Sequence, residues 1–113
     1  VRKIRYDGAA VSFRCPGCGD VHRLPVSDGP GNWQWNGDVN RPTVTPSVLT
    51  RSGHYSSTWK QGDACWCNKD YLFTCYRCHL FVRDGRLEFL ADSTHALAGQ
   101  TVDMQEIAAD EAL

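Results

Sequence analysis

Two Cys-x-x-Cys pairs constrain this chain more than any other feature. Cys15-Pro16-Gly17-Cys18 is followed, 60 residues later counted from Cys15, by Cys75-Tyr76-Arg77-Cys78. Two thiolates separated by two residues aim at one ion from a tight turn, and Gly17 and Gly19 let the backbone bend toward the sulfurs. Zinc takes four such ligands in a tetrahedron, with sulfur at about 2.3 Å. The expected site is therefore one structural Zn2+ held by Cys15, Cys18, Cys75 and Cys78. Disulfides and buried thiols compete with this reading, since the chain has six cysteines. No apolar signal-peptide stretch follows the basic start at Arg2 to Arg5, and a reducing compartment favours metal over disulfides. The fourth ligand is open. His79 directly follows Cys78 and competes with Cys75, while His22, Cys65, Cys67 and His95 are further alternatives. Cys65 and Cys67 stand too close together for an ordinary knuckle. Cys75-x-x-Cys78-His79 also matches covalent haem attachment, but that chemistry needs an exporting compartment and usually a second axial ligand.

Bulk properties narrow the function classes. At 113 residues the chain is expected to be one domain, 1–113, with a modest core. A formal net charge of -1 argues against gripping nucleic acid by bulk positive charge. No apolar run reaches the roughly 20 residues of a membrane-spanning helix, so a soluble, intracellular protein is expected.

Alternation of apolar residues predicts hairpins at both cysteine pairs. Ile4 and Tyr6 lead into the turn Asp7-Gly8, and Val11 and Phe13 lead out of it toward Cys15. Asp20 to Val26 returns as a strand. Trp33 and Trp35 fall on one face if extended. Pro42 and Pro46 make a regular central strand unlikely over Arg41 to Ser47, with a short strand at Val48 to Arg51. An irregular excursion is expected at about 52–68. Tyr71 to Leu90 reads as a hairpin turning at Asp84-Gly85. Ser93 to Gly99 reads as one or two helical turns, and Asp103 with Glu106 resembles a capping box opening a helix through Ala112. The expected fold class is α+β and β-rich: zinc-ribbon-like knuckles on β-hairpins, a core of Trp33, Trp35, Phe13, Phe81 and Phe89, and a short C-terminal helix.

Several segments stand in an order that resembles a known family. They are Trp33-Gln-Trp35-Asn36-Gly37-Asp38, Arg41-Pro42-Thr43-Val44-Thr45-Pro46-Ser47, Cys78-His79 through Gly85, and Asp92-Ser93-Thr94-His95 through Thr101. With the first knuckle they resemble the DUF6527 family of small phage and bacterial proteins, often labelled "ammonia monooxygenase", over roughly Val11 to Val102. The resemblance implies a phage or prophage source and the host cytoplasm as the location. It does not imply oxidation chemistry. Family members commonly carry Cys where this chain has Ser93, so the resemblance implies that Cys75 stands in for that cysteine here. Some bacterial relatives resemble accessory proteins found beside ubiquitin-like conjugation systems.

Two functional readings follow. In the catalytic one, Cys15, Cys18 and Cys78 or His79 leave an open metal position, and Asp92, Glu88 or His95 acts on a bound water, giving a zinc-dependent hydrolase. Against it, four thiolates form a closed site, Asp92 serves as a turn cap and His95 as a packing residue. In the binding reading, Trp59 and Trp66, bordered by Lys60, Lys69, Arg77 and Arg83, anchor a partner. A host or phage protein is favoured over single-stranded nucleic acid because the chain is slightly acidic. The expected function is a non-catalytic zinc module that modulates a host protein or host defence, with no catalytic or organic-cofactor residues assigned.

Overall fold

Alternation at the N-terminus builds the first sheet. Arg5–Tyr6 (β1), Ala10–Arg14 (β2) and Val21–Pro25 (β3) pair antiparallel in the order β1-β2-β3. Asp7 shapes the first turn: its carboxylate accepts from the backbone N–H groups of Ala9 and Ala10. Those bonds, with Arg23, hold its pKa down at about 2. Val11, Phe13, His22 and Leu24 are buried and turn toward a second sheet.

The second sheet has five strands in the order β4-β5-β6-β7-β8. These are Gln34–Trp35, Val44–Ser52, Tyr76–Arg83, Arg86–Phe89 and Thr101–Asp103. Residues 2–63, 75–108 and 113 are described by this computed structural model. The β6–β7 hairpin turns where expected, with Asp84 at φ 51 and Gly85 at φ 76. Two successive positive φ values define the turn whose twist matches that of the flanking strands. Along β6, Cys78, Leu80 and Val82 are buried while Arg77, His79 and Phe81 lie on the opposite face, as the two-residue period of a strand requires. One core joins Ile4, Val11, Phe13 and Leu24 of the first sheet region to Val44, Val48, Leu80, Val82, Leu87 and Phe89 of the second.

Several expectations are corrected. The chain is nearly all β, and no α-helix occurs among the described residues, against the expected α+β class. Ser93 to Gly99 forms turns, because Ser93 and Thr94 are bonded onto β6 instead of coiling. The segment expected to start a C-terminal helix is extended: Thr101–Asp103 pairs with β7, and Ile107 bridges to Arg2. Met104 and Ile107, at helix-like spacing, are both buried by this extended path, so tertiary burial outweighs the local capping signal. Ala109 to Ala112 lie outside the described residues, as do Cys65, Trp66, Cys67 and Lys69 of the expected excursion. Before that gap, Gly53–Tyr55 forms a single 3-10 turn.

The strand expected to begin at Val48 begins at Val44 and contains Pro46. Val44 pairs with Val82 and Val48 with Leu80, so β5 carries two more residues than β6 between those pairs. This bulge accommodates proline, which has no N–H to give to the ladder. Phe81, expected in the core, lies half-buried on the outer face with the Arg83 guanidinium 4.1 Å from its ring centre. Trp33 and Trp35 pack against the core from its rim. Leu80 is wholly buried at the centre of the sheet, whereas Leu49 is 39% exposed. Leu80→Ala should therefore lower unfolding free energy by about 2–5 kcal/mol in a denaturant titration. Leu49→Ala should change it by roughly 0.5 kcal/mol or less.

Candidate active site and metal centre

The first knuckle is a tight turn between β2 and β3. Gly19 N–H donates to Cys15 O at 2.9 Å, and Cys15 N–H donates to Asp20 O at 2.8 Å. Gly17 has no room for a side chain, because a Cβ there would stand 2.5 Å from the His95 imidazole. The turn delivers Cys15 and Cys18 to the space between the sheets, where His22 from β3 and Cys78 from β6 meet them. One ligand atom from each of these four residues lies within 4.8 Å of all the others.

The edges of this group fit a metal tetrahedron. Cys15 Sγ and Cys78 Sγ are 3.8 Å apart, and His22 Nε2 lies 3.4 Å from Cys18 Sγ and 3.8 Å from Cys78 Sγ. Ideal tetrahedral zinc bonds give sulfur–sulfur edges of about 3.8 Å and sulfur–nitrogen edges of about 3.6 Å. The His22 Nδ1 side faces Thr50 Oγ1 at 3.4 Å, which leaves Nε2 toward the sulfurs. The thiols are electrostatically mismatched without a cation. Hydrogen bonds from Cys18 and Cys78 pull the Cys15 pKa down to about 3. Cys78 is pushed strongly up, first by its bonding to Cys15 and Cys18, then by burial. Thiols with such opposed preferences in one buried space are a setting that a divalent cation would relieve, because metals bind cysteine as thiolate.

His95 contributes differently. Its Nδ1 accepts from Leu97 N–H at 3.2 Å, so in the neutral ring the proton sits on Nε2, 3.4 Å from Cys78 Sγ. Burial lowers its pKa, and nearby His22 adds to this while Cys18 opposes it. Its part is to donate a hydrogen bond to the Cys78 sulfur. Cys75 stands outside the group of four: its sulfur accepts from His54 N–H at 3.1 Å and faces Gly53, where a Cβ would overlap it.

The outer face of β5 and β6 carries a second constellation. Ser47 Oγ, at the end of the β5 bulge, lies 3.1 Å from His79 Nε2. His79 Nδ1 lies 3.2 Å from both carboxylate oxygens of Asp92. Burial is the largest influence on Asp92 and raises its pKa, yet the hydrogen bond and charge of His79 and the Arg77 guanidinium together outweigh it, so the carboxyl sits below its ordinary range. An ionised carboxylate only accepts, so the His79 proton sits on Nδ1 and the Nε2 lone pair faces the Ser47 hydroxyl. This is the order nucleophile, base and orienting acid that activates a serine.

Neighbouring bonds hold the arrangement. Ser93 Oγ accepts from His79 N–H and donates to His79 O, both at 3.0 Å. Thr94 N–H donates to Arg77 O at 2.9 Å, and Arg77 N–H donates to Thr94 Oγ1 at 2.9 Å. Arg77 Nη1 reaches Asp92 Oδ2 at 3.3 Å. The segment bearing Asp92 is thereby laced along the strand bearing His79. Trp33 Nε1–H donates to Ser47 O at 3.3 Å from the other side.

Three of the four residues brought together here, Cys15, Cys18 and Cys78, are among the expected ligands, and His22 is one of the expected alternatives. The zinc-hydrolase alternative puts Asp92 and His95 at an open metal position. Asp92 instead engages His79 across the sheet, and His95 engages Cys78. Glu88 pairs with Arg83. Nothing local marks Ser47 as reactive: it lies in Thr-Pro-Ser, without the Gly-x-Ser-x-Gly frame of some serine nucleophiles. Of the expected partner surface, Trp59 is half-buried and Arg77 is engaged with Asp92.

The family expectation is corrected by comparison. The matching family model is BubE, described as bacterial ubiquitination-like system serine protease, over residues 1–90, and not DUF6527. A bacterial system replaces the phage source, and the viral and host-modulating roles that came with it find no support. No curated protein and no solved structure matches the chain. No helix among the described residues is long and apolar enough to cross a membrane. The matched span takes in Ser47, His79 and all four residues of the metal group, with Asp92 two positions beyond it. With the match covering most of its length, the chain belongs to the BubE family.

Proposed function

We propose that this protein is a serine protease in which Ser47 is the nucleophile, His79 the general base and acid, and Asp92 the residue that orients His79. The observation that carries the reading is the continuous hydrogen-bonded chain from Ser47 through His79 to Asp92, at 3.1 and 3.2 Å. The family description supports a bacterial ubiquitination-like system as its setting, with a protein as its partner.

The chemistry follows from the positions of the protons. His79 Nε2 takes the proton from Ser47 Oγ as that oxygen bonds to the substrate carbonyl carbon. The imidazolium is stabilised by Asp92 and passes its proton to the leaving amine as the peptide bond breaks. The acyl group then rests on Ser47 until water, deprotonated by His79, releases it as a carboxylic acid. Arg77 limits Asp92 to one orientation, and Ser93 fixes the backbone from which His79 projects.

The metal group is proposed as a Cys3His zinc site of Cys15, Cys18, His22 and Cys78. Bound there, zinc supplies a structural cross-link between the sheets, because four protein ligands close the tetrahedron. Cys78 precedes His79, and Thr50, which contacts His22, follows Ser47 by three residues. The cross-link therefore bears on both strands that hold the reacting groups.

A fluorophosphonate probe should label wild-type protein at Ser47 and leave Ser47→Ala unlabelled. Asp92→Asn should remain folded and lose roughly four orders of magnitude in kcat. Equal labelling of Ser47→Ala would sink the proposal. Because Asp92 is held below the ordinary carboxylate range, its carboxylate persists as pH falls to about 5. The acid limb of the pH–rate profile should accordingly follow one proton and not two.

Metal analysis should return one zinc per chain, and Cys18→Ser should reduce it. Chelation should lower the melting temperature and remove activity together. Cobalt replacement should restore both, since the ion takes no part in bond breaking. Activity that depends on the identity of the metal while stability does not would contradict a structural role.

A further inference from the structure

The five-stranded sheet has an unfinished edge beside Ser47. β4 covers β5 at two positions only, Gln34 opposite Thr45 and Trp35 opposite Val44. Beyond them β5 continues to Ser52 and is paired on its other side with β6. The outward groups of this stretch follow from the hydrogen bonds of β6. His79 N–H goes to Ser93 Oγ and His79 O accepts from Leu90 N–H, both on the side away from β5. Arg77 is likewise bonded through N–H and C=O to Thr94. His79 pairs with Leu49 and Arg77 with Arg51. In an antiparallel ladder, partners of outward-facing residues also face outward. The N–H and C=O groups of Leu49 and Arg51 therefore point away from β6, and among the described residues no partner is found for them.

This edge leads to a polar cavity. Arg51, Ser52 and Trp59 are among the walls of a cavity of about 310 Å3 at the far end of β5. The side-chain Ser52 Oγ and Trp59 Nε1 of two of these residues are buried without a hydrogen-bond partner among the described residues. Buried polar groups are nearly always paired in a folded protein, so two orphans on residues that border one cavity single out this end of β5. Arg51 lies four positions along the strand from Ser47, about 13 Å away.

We infer that the substrate binds as an extended polypeptide that adds a strand to the free edge of β5, pairing with Leu49 and Arg51 and reaching the cavity at Ser52 and Trp59. This rests on Ser47 being the nucleophile. Strand addition draws affinity from main-chain bonds and selectivity from alternate side chains. Leu49 shares the outer face with Ser47 and His79, and its exposed side chain offers an apolar contact beside the scissile bond. The edge thus sets a requirement on the substrate: a stretch of about five residues free of secondary structure.

The test uses peptidyl phosphonates of mixed sequence that carry one, three or five residues and react covalently with Ser47. The second-order rate of inactivation should rise roughly tenfold from one residue to three, as backbone bonds to Leu49 form. It should rise again from three to five as the cavity fills. N-methylation of the probe amides should cancel the gains on wild-type protein. Leu49→Pro removes an N–H that β6 does not use and should abolish the first gain, while Leu49→Ala keeps it. Trp59→Phe should diminish only the second gain. If Ser47 reacts at a rate independent of probe length and of N-methylation, the edge does not bind substrate and the inference is overturned with the nucleophile intact. It is overturned equally if the edge instead joins two copies, seen as a dimer in sedimentation that Leu49→Pro dissociates without any length dependence. A Ser47 inert to every probe removes the nucleophile assignment and this inference with it.

Discussion

The pairing of β5 with β6 is the interaction on which the rest of this structure depends. Each strand presents one face to the core and one to solvent, and neighbouring residues alternate between them. In β6 this sends Cys78 inward to the sulfur group and His79 outward to Ser47 and Asp92. In β5 it sends Thr50 toward His22 and Ser47 toward His79. A slip of one residue in this register would exchange the two faces, placing an imidazole among the thiols and a thiol in front of the serine. Register, set by the apolar pairing of Val48 with Leu80, is thus a condition for both sites at once.

The two sites have opposite electrostatic needs, and the sheet separates them. Three thiols and an imidazole share a largely buried space, where uncompensated negative charge is costly. Hydrogen bonding within the group pulls the Cys15 pKa down and pushes that of Cys78 up. A divalent cation resolves that conflict without help from solvent. On the outer face, Asp92 keeps its charge through His79 and Arg77, and its side chain remains 42% exposed. Water and the neighbouring cation offset part of the cost there. The Ser47–His79–Asp92 chain thus lies on a solvated face, while the Cys and His cluster lies largely buried between the sheets.

The sulfur knuckle, the Asp84-Gly85 hairpin and the alternating strands around them were legible because each is local. Turn chemistry and two-residue periodicity act within a few positions. Residue type narrowed the metal ligands to cysteine and histidine, and spacing paired Cys15 with Cys18. Spacing also suggested Cys75 alongside Cys78. Cys75 precedes the first residue of β6, and its sulfur turns toward His54 on another part of the chain. The expected C-terminal helix failed for a comparable reason. Asp103 and Glu106 carry a capping signal, but β7 offered an open edge to Thr101–Asp103, and the core offered space to Met104 and Ile107. Burial in an extended path outweighed a local preference worth about 1 kcal/mol.

By itself, the sequence determined that this chain is rich in strands, that a cysteine knuckle sits between two of them, and that its candidate metal ligands are cysteines and histidines. Only the tertiary structure decided that Ser47, His79 and Asp92 form one hydrogen-bonded chain, that His22 joins the sulfurs, and that His95 donates to one of them. The physical reason is distance along the chain. Ser47, His79 and Asp92 come from a bulged strand, a central strand and a turn beyond a third strand, so no periodicity relates them. Their meeting depends on which strands pair and in what register, and that is settled by burial across the whole core.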